Sequence, residues 1–107
     1  MAHQEHQSCI SACVECAQEC EHCANTCLGD RAECARLCID CADLCWTCPG
    51  YMSRGSKFMN DICRVCAEIC DACAGECEKH QHEHCQRCAK ACRRCAEECR
   101  QMACALA

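Results

Sequence analysis

Cysteine recurs through this 107-residue chain in steps of three and four, and that rhythm leaves one kind of regular structure open to it. The positions form four runs: 9, 13, 16, 20, 23, 27; then 34, 38, 41, 45, 48; then 63, 66, 70, 73, 77; then 85, 88, 92, 95, 99, with Cys104 trailing. Alternating steps of three and four place every cysteine of a run on one face of a helix, at the a and d positions of a heptad. A strand would need steps of two. Many of the cysteines are followed by alanine (Ala17, Ala24, Ala35, Ala42, Ala67, Ala74, Ala89, Ala96), a strong helix former small enough to let neighbouring helices approach.

The breaks between runs carry stop and start signals. Gly29 suits the end of the first helix, and Asp30 with Glu33 reads as a capping box opening the second. Ser53-Arg54-Gly55-Ser56 separates the second and third helices, with Ser56 as the expected N-cap, and Lys79 to Glu83 separates the third and fourth. Pro49-Gly50 interrupts the second helix, which is expected either to bend there or to end near Cys48. The expectation is an all-α fold of one domain over residues 1–107, an antiparallel up-down-up-down four-helix bundle with a Cys-lined core. Its helices would cover about 4–28, 31–53, 57–79 and 83–104, each roughly 30 Å long.

Antiparallel stacking sorts 20 of the 22 cysteines into five levels of four. In order they are Cys9/Cys48/Cys63/Cys99, Cys13/Cys45/Cys66/Cys95, Cys16/Cys41/Cys70/Cys92, Cys20/Cys38/Cys73/Cys88 and Cys23/Cys34/Cys77/Cys85. One step beyond the first level lie His6, Met52, Met59 and Met102, with Cys104 nearby. Beyond the last lie Cys27 and His80, with His82 and His84 in the adjoining loop.

Composition narrows what such a bundle is for. Of the apolar residues, 22 are Cys and 16 are Ala, leaving only 17 larger side chains, so the interior has to be built from sulfur. A net charge of −5 and 3% aromatics argue against nucleic-acid binding. No apolar run approaches the roughly 18 residues a membrane span needs. The opening Met1-Ala2-His3-Gln4-Glu5-His6 has neither the basic patch nor the apolar stretch of an export signal, so a cytoplasmic, reducing setting is expected.

Cysteines three or four apart on a helix have Cβ atoms about 5–6 Å apart. A disulfide needs about 3.8 Å, so these pairs are poorly placed for oxidation, although bridges between facing helices stay geometrically open. Nine C-x-x-x-C pairs (9/13, 16/20, 23/27, 34/38, 41/45, 66/70, 73/77, 88/92, 95/99) are each placed to converge on one ion. Eight C-x-x-C pairs occur too, but they lie inside helices facing inward, whereas a redox-active pair needs an exposed thiolate at a helix N-terminus. Zinc closes isolated four-ligand tetrahedra, and iron–sulfur clusters use other spacings. A continuous thiolate wall with thioethers at its mouth suits multiple Cu(I) ions. Each Cu⁺ that replaces a thiol proton leaves the interior neutral, whereas Zn²⁺ on four thiolates buries two negative charges. Capacity on that basis approaches roughly one Cu(I) per cysteine, or about half that with two-coordinate sites alone.

The four stripes, the stretch Phe58-Met59-Asn60-Asp61-Ile62-Cys63, and Glu76-Cys77-Glu78-Lys79-His80 through His84-Cys85 resemble the bacterial copper storage proteins, in their cytosolic branch, over nearly the whole chain. The resemblance implies a non-enzymatic four-helix bundle that stores and buffers many Cu(I) ions, assembled as a homotetramer, with His or Met residues at the mouths assisting metal passage. On that reading the ligands are the 22 cysteines, Cys104 among them, and the possible entry residues are His6, Met52, Met59, Met102, His80, His82 and His84. The copper donor and acceptor are not legible, and neither nucleic acid nor membrane is expected as a partner. Alternatives from other classes are a thiol/disulfide redox or sensor protein and a zinc or mixed-metal sequestration protein.

Met52, Met59 and Met102 suit core capping as well as copper ligation, and His80, His82 and His84 suit a solvated loop as well as a metal role. His22, Arg93 and Arg94 fall on outward positions. Val14, Ile39 and Trp46 share an outer face, where Trp46 marks an expected oligomer interface, while Leu37, Leu44, Ile62 and Ile69 flank the seam.

Overall fold

Each cysteine run lies on its own helix, with Cys27 as the residue that follows the first: α1 (Gln7–Thr26), α2 (Ala32–Ser53), α3 (Met59–Cys77) and α4 (Glu83–Ala105). The computed structural model describes residues 6–27 and 32–105, of which 104 and 105 only in backbone. Gly29, Asp30 and the side chain of Cys104 therefore lie outside the described residues. The helices run up-down-up-down in a rod of 44 × 19 × 18 Å, and consecutive helices pack side by side, with α4 closing back onto α1.

The core is what the composition implies. All 21 described cysteines are at most 2% exposed, and the buried alanines among them keep the helices close. Ile10, Leu37, Leu44, Ile62 and Ile69 lie half-buried between helices. Outside the seam, α4 acts as an electrostatic strap. Toward α1, Arg94 donates to Glu15 at 2.8 Å, Arg87 lies 3.6 Å from Glu19, and Glu98 accepts from Ser8 at 3.0 Å. Toward α3, Arg93 grips Glu78 through two N–H groups at 2.8 and 3.0 Å and also reaches Asp71, which Arg100 shares. Arg93 and Arg94 are thus half-exposed and structural.

The second helix does not end at Cys48. It continues through Pro49 to Ser53, so Cys48 and Met52 both point into the core and are fully buried. Its end is a Schellman motif: Ser56 N–H bonds to Tyr51 carbonyl at 3.0 Å and Gly55 N–H to Met52 carbonyl at 3.2 Å, with Gly55 at φ +62°. Ser56 then starts the next element, its hydroxyl accepting from Phe58 N–H at 3.0 Å, while regular helix opens at Met59.

Candidate metal centre

The five levels expected from the spacing are present, and each is built from two close pairs. Sulfur–sulfur distances between α1 and α4 are 3.7 Å for Cys9/Cys99, 3.6 Å for Cys13/Cys95, Cys16/Cys92 and Cys20/Cys88, and 3.9 Å for Cys23/Cys85. Between α2 and α3 they are 3.6 Å for Cys48/Cys63, Cys41/Cys70 and Cys34/Cys77, 3.8 Å for Cys45/Cys66 and 3.7 Å for Cys38/Cys73. Further contacts join α2 to α4 across the axis, as at Cys45/Cys95 (3.8 Å) and Cys38/Cys88 (3.8 Å).

The levels also interlock, which the spacing did not anticipate. Cys13 reaches Cys99 at 3.8 Å, Cys20 reaches Cys92 at 3.7 Å, Cys70 reaches Cys45 at 3.7 Å and Cys77 reaches Cys38 at 3.9 Å. All four diagonals slant the same way. A helical side chain leans toward its own N-terminus, so sulfurs on antiparallel neighbours are displaced in opposite directions along the axis. Cys13, Cys20, Cys70 and Cys77, all on α1 or α3, therefore each meet a sulfur of their own level and one of the level nearer the Cys9 end. With the i, i+4 pairs Cys16/Cys20 (3.9 Å) and Cys41/Cys45 (3.9 Å), sulfurs within 4.0 Å of one another run unbroken from Cys9 to Cys34.

Quartets with all sulfurs within 4.8 Å of one another accordingly cross the levels, as in Cys16/Cys20/Cys41/Cys92 and Cys20/Cys73/Cys88/Cys92. Cys20 and Cys92 belong to both, so neighbouring sites share ligands. The described cysteines are all free thiols, and their protons are distributed unevenly. Donation to Cys16 and other neighbours pushes the thiols of Cys20 and Cys45 up. Cys48, Cys73 and Cys88 are held down to about 6 by neighbouring S–H groups, from Cys13, Cys20 and Cys20 respectively. For Cys27, Cys34 and Cys85, burial is the first cause: it pushes up Cys27 and Cys34 and takes Cys85 to about 12.

The two ends differ. At the Cys9 end, Met52 is fully buried, Met59 is 7% and His6 8% exposed, and Met102 is half-buried. Among the described residues, His6 Nδ1 is a buried polar atom without a hydrogen-bond partner. At the other end, half-exposed His84 sets its Nδ1 3.4 Å from Cys23 Sγ and 3.5 Å from Cys85 Sγ, which makes it a neighbour of the thiol wall. His82 stacks on His84 with ring centroids 5.6 Å apart, and His22 meets His84 edge-on at 6.3 Å. His80 is turned aside by Glu76 at 3.3 Å. The heptad pattern gives His22 only an outer face. Its position next to Cys23, level with Cys85, is the signal that ties it to this end.

Comparison with known proteins points one way. The family model described as copper storage protein matches residues 2–104. Apo copper storage protein 3 from Bacillus subtilis is 50% identical, with a TM-score of 0.87 over 91% of this chain and 97% of that one. A cytosolic copper storage protein from Streptomyces lividans, loaded with five coppers, is 35% identical, with a TM-score of 0.90 over 96% and 95% of the two chains. The copper storage protein Ccsp from Streptomyces lividans, loaded with ten copper equivalents, is 36% identical, with a TM-score of 0.89 over 94% and 85%. No match is found among curated protein sequences. With its four helices, its axial wall of thiols and this agreement along nearly its whole length, the chain belongs to the copper storage protein family.

Proposed function

We propose that this chain stores and buffers Cu(I), without catalysis, on the sulfurs of its 22 cysteines, Cys9 to Cys104. The observation that carries the reading is the unbroken run of sulfurs no more than 4.0 Å apart. Cu(I) takes two or three soft sulfurs and tolerates bridging thiolates, so shared ligands are no obstacle to filling the run. Zinc instead closes four sulfurs around each ion and, on four unshared thiolates, would bury two negative charges per site. Each Cu⁺ displaces a thiol proton and leaves the dry interior neutral.

The end carrying His84 is the entrance. In support, imidazoles of His22, His82 and His84 line that end and one of them touches Cys23, whereas Met52, Met59 and His6 are packed shut over the Cys9 level. Met52 and Met59 then act as a plug. A cytosolic setting fits thiols kept free, and the outer Ile39 and Trp46, 51% and 46% exposed, fit a homotetramer contact.

Titrating the reduced protein with Cu(I) against a competing chelator tests the reading. Saturation is expected above ten ions per chain, toward roughly one per cysteine. Saturation at one or two equivalents would overturn it, and bound Zn²⁺ that Cu(I) fails to displace would favour the zinc alternative.

A further inference from the structure

The sulfur wall contains closed triangles as well as pairs. Cys16, Cys41 and Cys92, from three different helices, stand 3.6, 3.9 and 3.9 Å apart. Cys23, Cys27 and Cys85 stand 3.7, 3.8 and 3.9 Å apart beside His84. Two more, Cys13/Cys95/Cys99 and Cys45/Cys66/Cys70, have every edge between 3.6 and 4.0 Å. These four triangles share no sulfur.

We propose that the triangles take up trivalent arsenic, one atom to each, entering as arsenous acid. The proposal goes beyond copper storage and rests on the triangles rather than on that reading. Arsenous acid is uncharged at neutral pH and carries three hydroxyl groups on one atom. Binding breaks three As–O bonds and forms three As–S bonds. The three thiol protons leave with the three hydroxyls as water, and arsenic stays trivalent, so no oxidant or reductant is needed.

Charge decides which ions such a site tolerates. A divalent ion on three thiolates leaves one buried negative charge, and on four it leaves two, each costly away from water. Trivalent arsenic on three thiolates is neutral, as Cu(I) is with one thiol proton displaced per ion. It forms a three-coordinate pyramid with no fourth ligand to find. The triangles supply the three sulfurs without rearrangement of the chain, because helix packing already holds them together, so little ordering cost falls on binding. The Cys23/Cys27/Cys85 triangle is buried but lies directly beside half-exposed His84, at the end of the bundle.

The test incubates the reduced, copper-free full chain with sodium arsenite, removes excess by desalting, and reads intact mass and free thiols. Each addition is expected to equal one arsenic atom less three hydrogens, with three thiols lost per arsenic and at least four arsenic atoms retained. Cys27→Ser is expected to retain one fewer. Cys9→Ser should retain the same number, since Cys9 joins no triangle among the described residues. Additions that keep a hydroxyl, with two thiols lost per arsenic, would overturn the proposal, as would an unchanged count in Cys27→Ser. No arsenic on a sample that still takes up Cu(I) overturns it alone. Arsenic uptake without copper uptake overturns the copper reading alone, and loss of both in a helical sample overturns both.

Discussion

Replacing Met52 separates a plug from a ligand. Its side chain is fully buried one step beyond Cys48, on the turn that α2 completes after Pro49. Met52→Ala deletes a thioether arm from a packed bundle end, a change that costs about 2–5 kcal/mol in comparable interiors. A loss of about 3 kcal/mol, inside that range, is a large share of a total that for a domain of this size is about 5–15 kcal/mol. At about 4–8 °C per kcal/mol for a small domain, the melting temperature should fall by roughly 12–24 °C. Met52→Leu keeps the volume and loses the sulfur, so its cost should stay under about 1.5 kcal/mol. Guanidinium and thermal unfolding of the reduced, copper-free variants, followed by circular dichroism, measure both losses, and chelator competition measures copper capacity and loading rate. A plug requires Met52→Leu to load copper at the wild-type rate and to the wild-type capacity. A Leu variant that loads several-fold slower or loses an ion, or an Ala variant destabilised by less than about 1 kcal/mol, would refute the assignment.

Three further outcomes follow from the same geometry. His84→Ala should slow Cu(I) loading in stopped-flow mixing while leaving the number of ions at saturation unchanged; an unchanged rate places the entrance elsewhere. Burial raises the Cys85 thiol to about 12, so in the copper-free protein its ¹³Cβ shift should stay that of a protonated thiol from pH 6 to about 10. Because that raised value keeps a proton on the sulfur, Cu(I) there must displace it at every pH in the range, and affinity at that end should fall by about tenfold per pH unit on acidification for each proton displaced. Titration of Cys85 near the ordinary thiol value of about 8.5 would contradict this. Pro49→Ala restores an N–H opposite the Cys45 carbonyl inside α2 and should stabilise the apo protein by roughly 1–3 kcal/mol in denaturant unfolding; destabilisation would show that the proline is needed where it stands.

The alternation of three and four was enough to read which residues face inward and which cysteines share a level, because both follow from helix geometry and antiparallel order alone. The Cys16/Cys92 and Cys41/Cys70 pairs are where that reasoning puts them. What it missed lies beyond Cα positions. Residue spacing locates a Cα, but the sulfur sits at the end of a side chain that leans toward the N-terminus, and neighbouring helices lean oppositely. The slant that brings Cys13 to Cys99 and Cys20 to Cys92 is therefore invisible to level counting. Pro49 was ambiguous for a different reason: propensity sets a cost for proline inside a helix, and burial of Cys48 and Met52 on the far side of it outweighs that cost. His22 was undervalued because a position judged outward along one helix can still border a cluster contributed by another.

The slant has a functional consequence that separate levels would lack. Five isolated quartets would be five closed sites, each filled or emptied through its own breach in the helical wall. Diagonal contacts instead put sulfurs of the next site within a short step of an ion, since Cys20 and Cys92 already serve two quartets and Cys45, one level nearer the Cys9 end, lies 3.7 Å from Cys70 and 3.9 Å from Cys41. An ion that exchanges one thiolate at a time can then pass along the axis without ever losing its sulfur shell. On this arrangement one open end is sufficient for the whole store, and the opposite end is free to be closed by Met52 and Met59.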